Sequence, residues 1–185
     1  MSDLLDIVDW PDRVNALVQQ IGAPLIEGHV IAVCDSTQES AQAMGPGGLV
    51  VAGRQVAGRG QRGNQWIDTG SEGLAFSLAL SATDQPERSQ ALAEAIVAGL
   101  DPMGPGRFTV KPPNDVLLDG RKVAGVLVEQ SDGLAVIGIG INVKQLSWPP
   151  ALDGQAISLL EAGIELKRID VLERILPGVI SAWST

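Results

Sequence analysis

The chain has 185 residues, 45% of them hydrophobic and 19% charged, so it can bury one sizeable core and is not compositionally disordered. A net charge of −9 argues against general nucleic-acid binding, which needs a basic face. One cysteine, Cys34, rules out an internal disulfide framework or a multi-cysteine zinc site, and one histidine, His29, leaves almost no material for a Ser-His triad or a His-rich metal site.

The opening MSDLLDIVDW is acidic and lacks a basic stretch before an apolar one, so no signal peptide is expected. No run approaches about 20 apolar residues, and a cytoplasmic location without a membrane span is the expectation. Residues 10–21 read as a helix: Pro11 suits the first helical position, Val14, Leu17, Val18 and Ile21 form a stripe, and Gly22 stops it. HVIAVC, 29–34, reads as a strand that gives His29 and Cys34 packing roles. A short helix over 37–43 follows, with Ser36 or Thr37 as its cap. Strands are predicted over 48–54 and 73–81. Asp84, Pro86 and Glu87 then resemble a cap-like start to a helix carrying Leu92, Ala95, Ile96 and Leu100.

RFTVK is a further strand. The run from Asp115 to Val143 reads as a meander, with turns at Asp119-Gly120 and at Ser131-Asp132-Gly133 that force antiparallel neighbours. The tail is expected to be helical from about residue 155, first over AISLLEAG and then over RIDVLERILPGVISAW, which Pro177 bends or ends. The sum is a single α+β domain, a mixed, mostly antiparallel β-sheet flanked by helices.

Of 13 Lys and Arg, six fall in two short stretches: Arg54, Arg59 and Arg62, then Lys111, Arg121 and Lys122. An acidic chain that gathers cations this way points to a local anionic ligand. The first stretch contains Gly58, Gly60 and Gly63 at the spacing of a dinucleotide-binding loop. That reading fails, because no helix can follow Gly63: NQWIDTGSEG has no apolar period. What is left is a mobile, glycine-rich anion loop between two strands. Its arginines offer planar forks for phosphate or carboxylate. Trp66 is either a core anchor or an aromatic face for a base.

In the second stretch two prolines stiffen the approach to Asn114 and Asp115. Asp115 suits Mg²⁺ beside phosphates, and Asn114 suits a base or ribose edge. Gly138 and Gly140 interrupt an apolar strand, which marks a bulge or a closely approaching ligand, and Asn142 ends it with a second amide.

Taken together, these segments resemble biotin–protein ligases. GRGQRGNQW is similar to the GRGRRGxxW loop of that family, KPPNDVLLDGRKVAGVLVE to its KWPND…KxxGxLVE segment, GIGINV to GxGIN, and CDSTQES to its Asp-Ser-Thr segment. The four occur in the family's order and span residues 35 to 143. The resemblance implies a class II aminoacyl-tRNA synthetase/biotin synthetase-like fold. It also implies formation of biotinyl-5′-AMP from biotin and Mg-ATP, then transfer to a lysine of a biotin carboxyl carrier protein. By motif match, biotin would be bound by Ser36, Thr37, Gln55, Gly58, Arg59, Lys122, Gly125 and Gly138. ATP would meet Arg59, Arg62, Trp66, Asn114 and Asn142. Catalysis would fall to Lys122, Arg59 and Asp115, with Asp115 also the metal ligand.

Three departures stand out: Gln61 replaces an arginine, Pro112 replaces the tryptophan of KWPND, and Gly73 stands where asparagine is common. The family's C-terminal β-barrel and N-terminal helix-turn-helix are not expected in the 185 residues, and neither is repressor function. A homodimer through a sheet edge is a family-level implication. Two alternatives stay open: a non-catalytic biotin or adenylate binder, and a lipoate or octanoate ligase of the same superfamily.

Overall fold

The structure is a computed structural model, and it describes residues 5–85 and 88–184. Among the described residues, the α-helices are α1 (Trp10–Ile21), α2 (Thr37–Met44), α3 (Arg88–Leu100) and α4 (Arg168–Ser184). The main sheet has seven strands. They are β1 (Glu27–Cys34), β2 (Gly48–Gln55), β5 (Gly73–Ser81), β6 (Phe108–Lys111), β7 (Asp115–Leu118), β8 (Arg121–Ser131) and β9 (Leu134–Asn142), in the order β1-β2-β5-β9-β8-β7-β6. Only β1 and β2 run parallel, with α2 as their crossover; every other pairing is antiparallel. Two short strands, β3 (Gly58–Arg59) and β4 (Gln65–Trp66), form a separate ribbon.

Side-chain size alternates along the central strands and so divides the sheet into unlike faces. Leu74, Phe76, Leu78 and Leu80 of β5 and Ile137, Ile139 and Ile141 of β9 point into the main core, where α1, α3 and α4 cover them. Fully burying each such side chain contributes about 1.5–3 kcal/mol. Their neighbours, Ala75, Ser77 and Ala79 with Gly138 and Gly140, leave the other face shallow. Only α2 packs there, through Ala41 against Val50, Ala79 and Val136. The uncovered part of that face holds the site.

The expected hairpins are present. Asp119 and Asp132 take φ near 50°, and Gly120 and Gly133 take φ 79°, as a two-residue turn of matching twist requires. The expected helix start at Asp84, Pro86 and Glu87 lies partly outside the described residues. Residues 156–163 correct the sequence reading, for they form a bridge at Ala156 and then turns, and not a helix. The chain there spends its hydrogen bonds on β8 and β9 instead: Ile157 N donates to Lys122 O and Leu159 N to Asn142 O. Pro177 does not end α4, because Ile175, Leu176, Val179, Ile180 and Trp183 are all buried and keep the helix docked to Ser184. His29 is exposed, its Nε2 3.3 Å from Glu27 Oε2, where the sequence reading gave it a packing role. No described helix is long and apolar enough to cross a membrane.

Candidate functional site

The floor of the site is a row of small residues running across the sheet. Asp115, Gly125, Gly140, Ala75 and Ala52 pair side by side from β7 to β2. The indole of Trp66, at the end of the glycine loop, lies on this row. A Cβ at Gly140 would fall 2.5 Å from the ring and one at Gly125 3.2 Å from it, so the tryptophan seats only because both are glycine. Trp66 is thus both an anchor for the loop and a wall of the cavities on either side.

Lys122 reaches the same place because of a register shift. Between Val116 and Leu117 the β7–β8 ladder slips by one residue, which resets the alternation of β8. Residues three apart on a regular strand face opposite ways, yet the Lys122 ammonium lies over Gly125, at 3.2 Å from where a Cβ would be. It pairs with Asp115 Oδ1 at 2.6 Å and sits 5.7 Å from the Trp66 ring centre. Asn114 braces the corner: its Nδ2 donates to Val126 O at 2.8 Å and Val126 N returns a bond to Asn114 O.

At the other end, α2 begins against the sheet. Ser36 caps it, its Oγ accepting from Gln38 N at 3.3 Å. Gln55 Oε1 accepts from both Thr37 N at 2.8 Å and Thr37 Oγ1 at 3.1 Å, and Thr37 Oγ1 lies 2.7 Å from Ser77 Oγ. The Gln55 acceptor is therefore occupied, while its Nε2 faces the turn at Gly58. Nearby, burial first and then Asp35 and Glu39 push the Cys34 thiol up, which keeps it protonated and a poor nucleophile.

Two neighbouring cavities result, with Trp66 and Lys122 lining both. The narrow one has a volume of about 50 Å³; Ser36, Thr37 and Gln55 lie at one end, Lys122 and Gly125 at the other, and Arg59 to Gln61 form the roof. The broad one, about 860 Å³, is of the size that takes a small-molecule ligand. Trp66, Asp115, Lys122 and Asn142 line it, with Asn64 and Gln155 opposite. Asn142 Nδ2 donates to Lys122 O at 3.2 Å, which fixes the lysine backbone between the two spaces.

Most of the predicted residues border one or the other of these two cavities, with differences of detail. Asn114 borders the narrow cavity and not the broad one. The space above Gly138 is taken by Gln38. Arg62 lies in the short turn Gln61–Gly63 that follows β3. Pro112 is exposed and borders neither cavity. Sequence reasoning missed Gln38, which is buried, and Glu129, its partner. Glu129 ends the KVAGVLVE stretch, and its acidic side chain in an apolar strand was the available signal.

Residues 30–145, well over half the chain, match the family model described as biotin/lipoate A/B protein ligase family. The chain is 34% identical over 181 residues to the bifunctional ligase/repressor BirA of Bacillus spizizenii, covering 89% of this chain and 55% of that one. It is 34% identical over 126 residues to a biotin–[acetyl-CoA-carboxylase] ligase of Mycobacterium tuberculosis, covering 64% and 47%. It thus spans about half the length of these curated relatives. The fold is similar to a biotin protein ligase from Aquifex aeolicus in complex with biotin and ATP, with TM-score 0.78 and 31% identity over 85% of this chain and 70% of that one.

Proposed function

The chain belongs to the biotin/lipoate A/B protein ligase family, and from that premise we propose that it is a biotin–protein ligase of the cytoplasm. It activates biotin with ATP as biotinyl-5′-AMP and passes the biotinyl group to a lysine of a biotin carboxyl carrier domain. One observation carries this reading. Arg59 and Lys122 line a single narrow cavity with Ser36, Thr37 and Gln55, and Lys122 also faces the broad cavity beside it. An acid held by its polar head at the narrow end presents its carboxylate to both cations, where the second cavity brings up a nucleotide phosphate.

In the first step a biotin carboxylate oxygen attacks the α-phosphorus, and the bond to the pyrophosphate oxygen breaks. Charge grows on the α-phosphoryl group, and Lys122 exchanges Asp115 for it, with Arg59 and Arg62 on the remaining oxygens. Trp66 separates the biotin and nucleotide ends, and Asn142 holds the lysine backbone while facing the nucleotide. In the second step the acceptor amine attacks the acyl carbon, AMP leaves, and the amine proton passes to solvent. The donor set suits a Mg²⁺ held mainly by phosphate oxygens, because Asp115 is a lone carboxylate at the wall. No group of three or more His, Cys, Asp or Glu among the described residues forms a cage. Asp115 would hold the ion, which would neutralise phosphate charge.

Incubation with biotin, Mg-ATP and a purified carrier domain, followed by detection of biotinylated lysine, tests the proposal. Biotin binding without biotin-dependent ATP–pyrophosphate exchange would instead assign a non-catalytic binder. Displacement of biotin by lower concentrations of lipoate would move the assignment to the lipoyl branch.

A further inference from the structure

Glu129 touches both Gln38 and Arg59, two residues that line the narrow cavity. Its Oε2 accepts from Gln38 Nε2 at 2.9 Å and pairs with Arg59 Nη2 at 3.2 Å. Gln38 is 3% exposed, and its Nε2 also donates to Val136 O at 3.3 Å. With a carboxylate and a carbonyl both demanding donors, the amide nitrogen must point their way, and the oxygen must point away from them. Gln38 Oε1 is buried and has no hydrogen-bond partner among the described residues. It lies 2.7 Å from where a Cβ at Gly138 would be, and Gln38 and Gly138 both line the narrow cavity beside Thr37. A buried acceptor left without a donor is costly, so the arrangement calls for a ligand N–H.

The link to Arg59 is of another kind. Both side chains are more than 40% exposed, so the pair is weak and exchangeable. Arg59 can leave for a phosphate, whereas Gln38 cannot turn without orphaning its own amide.

We infer that Glu129 is a positioning residue: it aims Gln38 Oε1 at an N–H of the bound ring and holds Arg59, with the glycine loop, over that ring until an acyl-phosphate forms. This rests on reading the narrow cavity as the biotin end. Two variants separate the roles. Glu129→Gln keeps an acceptor for Gln38 and removes the charge that holds Arg59; Glu129→Ala removes both.

The readouts are biotin affinity by calorimetry and hydrogen exchange of residues 57–66 in the ligand-free protein. The expected result for Glu129→Gln is faster loop exchange with a smaller loss of biotin affinity than Glu129→Ala shows. For Glu129→Ala it is about tenfold weaker biotin, the scale of one hydrogen bond, with equally fast exchange. Biotin affinity unchanged in both variants, equal weakening in both, or unchanged loop exchange would overturn the inference. Should Glu129→Ala fail to fold, Glu129→Gln alone decides: unchanged exchange, or biotin weakened by about tenfold or more, rejects it. If the parent protein binds no biotin, the proposed function falls, while the exchange comparison still supports or rejects the Glu129–Arg59 link.

Discussion

The chain uses cations in two opposite ways. Arg168, at the start of α4, has no exposed surface; its Nη1 donates to Gly53 O at 2.6 Å and Gly73 O at 3.0 Å, its Nε to Asp6 Oδ2 at 2.9 Å, and it stacks 4.6 Å from the Trp10 ring. It binds the first turn, α1, two sheet strands and the last helix into one body. Arg59 and Lys122, on the shallow face, each lean on one carboxylate and keep side chains 42% and 39% exposed. The lesson is that burial and the number of fixed acceptors decide whether a cation is structure or machinery. A desolvated guanidinium with several partners cannot move, whereas a half-wet cation with one partner can exchange it for a ligand.

Replacement of each cation should separate the two regions sharply. Arg168→Leu is expected to cost about 3–5 kcal/mol in urea unfolding, because Asp6 and two carbonyls lose a buried partner. An unchanged midpoint would erase the contrast. Lys122→Ala should lower biotin-dependent ATP–pyrophosphate exchange about 10²–10³-fold, the usual cost of removing a group that stabilises transition-state charge, with little change in melting temperature. A large loss of stability with exchange intact would reverse the assignment. Gly140→Ala intrudes on the Trp66 ring and should cost about 1–3 kcal/mol, divided between stability and nucleotide affinity. Calorimetry and ATP titration together would measure the division, and no change in either would mean the indole does not need that floor.

Smaller effects sharpen the picture. Gln61 lines the narrow cavity where the resembling loops carry arginine. Gln61→Arg should slow release of biotinyl-5′-AMP by about fivefold at most, since an exposed cation contributes about 1 kcal/mol or less. Equal release rates would show that the guanidinium has no grip there. The Asp6 carboxyl feels burial, which alone would raise it. The hydrogen bond and charge of Arg168, with Lys144 behind them, outweigh this and hold it below its ordinary value of 3.8. A depressed carboxyl contributes stability that is present above that value and lost as the pH falls through and below about 4. Asp6→Asn should therefore be less stable than the parent at neutral pH and approach it in acid. Parallel melting curves from pH 7 to 3 would refute this.

Much of the site could be read from order and type alone. Gly60, Gly63, Lys122, Asp115, Ser36 and Thr37, all in segments the sequence singled out, line the two neighbouring cavities. Gln38 could not be read that way, because its meaning depends on Glu129, ninety-one positions away, and on an empty position at Gly138. Arg168 was equally illegible: nothing local marks an arginine at a helix start as buried. The segment 156–163 has a composition that suits a helix, but the open backbone of β8 at Lys122 competed for its hydrogen bonds and won.

By itself, the sequence determined the two faces of the sheet. Leu-Ala-Phe-Ser-Leu-Ala-Leu in β5 and Ile-Gly-Ile-Gly-Ile in β9 alternate large with small, and a period of two sends every large side chain to one side whatever the partner strands. Turn chemistry at Asp119-Gly120 and Asp132-Gly133 determined the meander in the same local way. Only the tertiary structure decided what filled the shallow face. The slip of one residue between β7 and β8, the seating of Trp66 on two glycines, and the meeting of Gln38 with Glu129 each depend on strands brought together from distant parts of the chain, and side-chain contacts of that kind have no local signal.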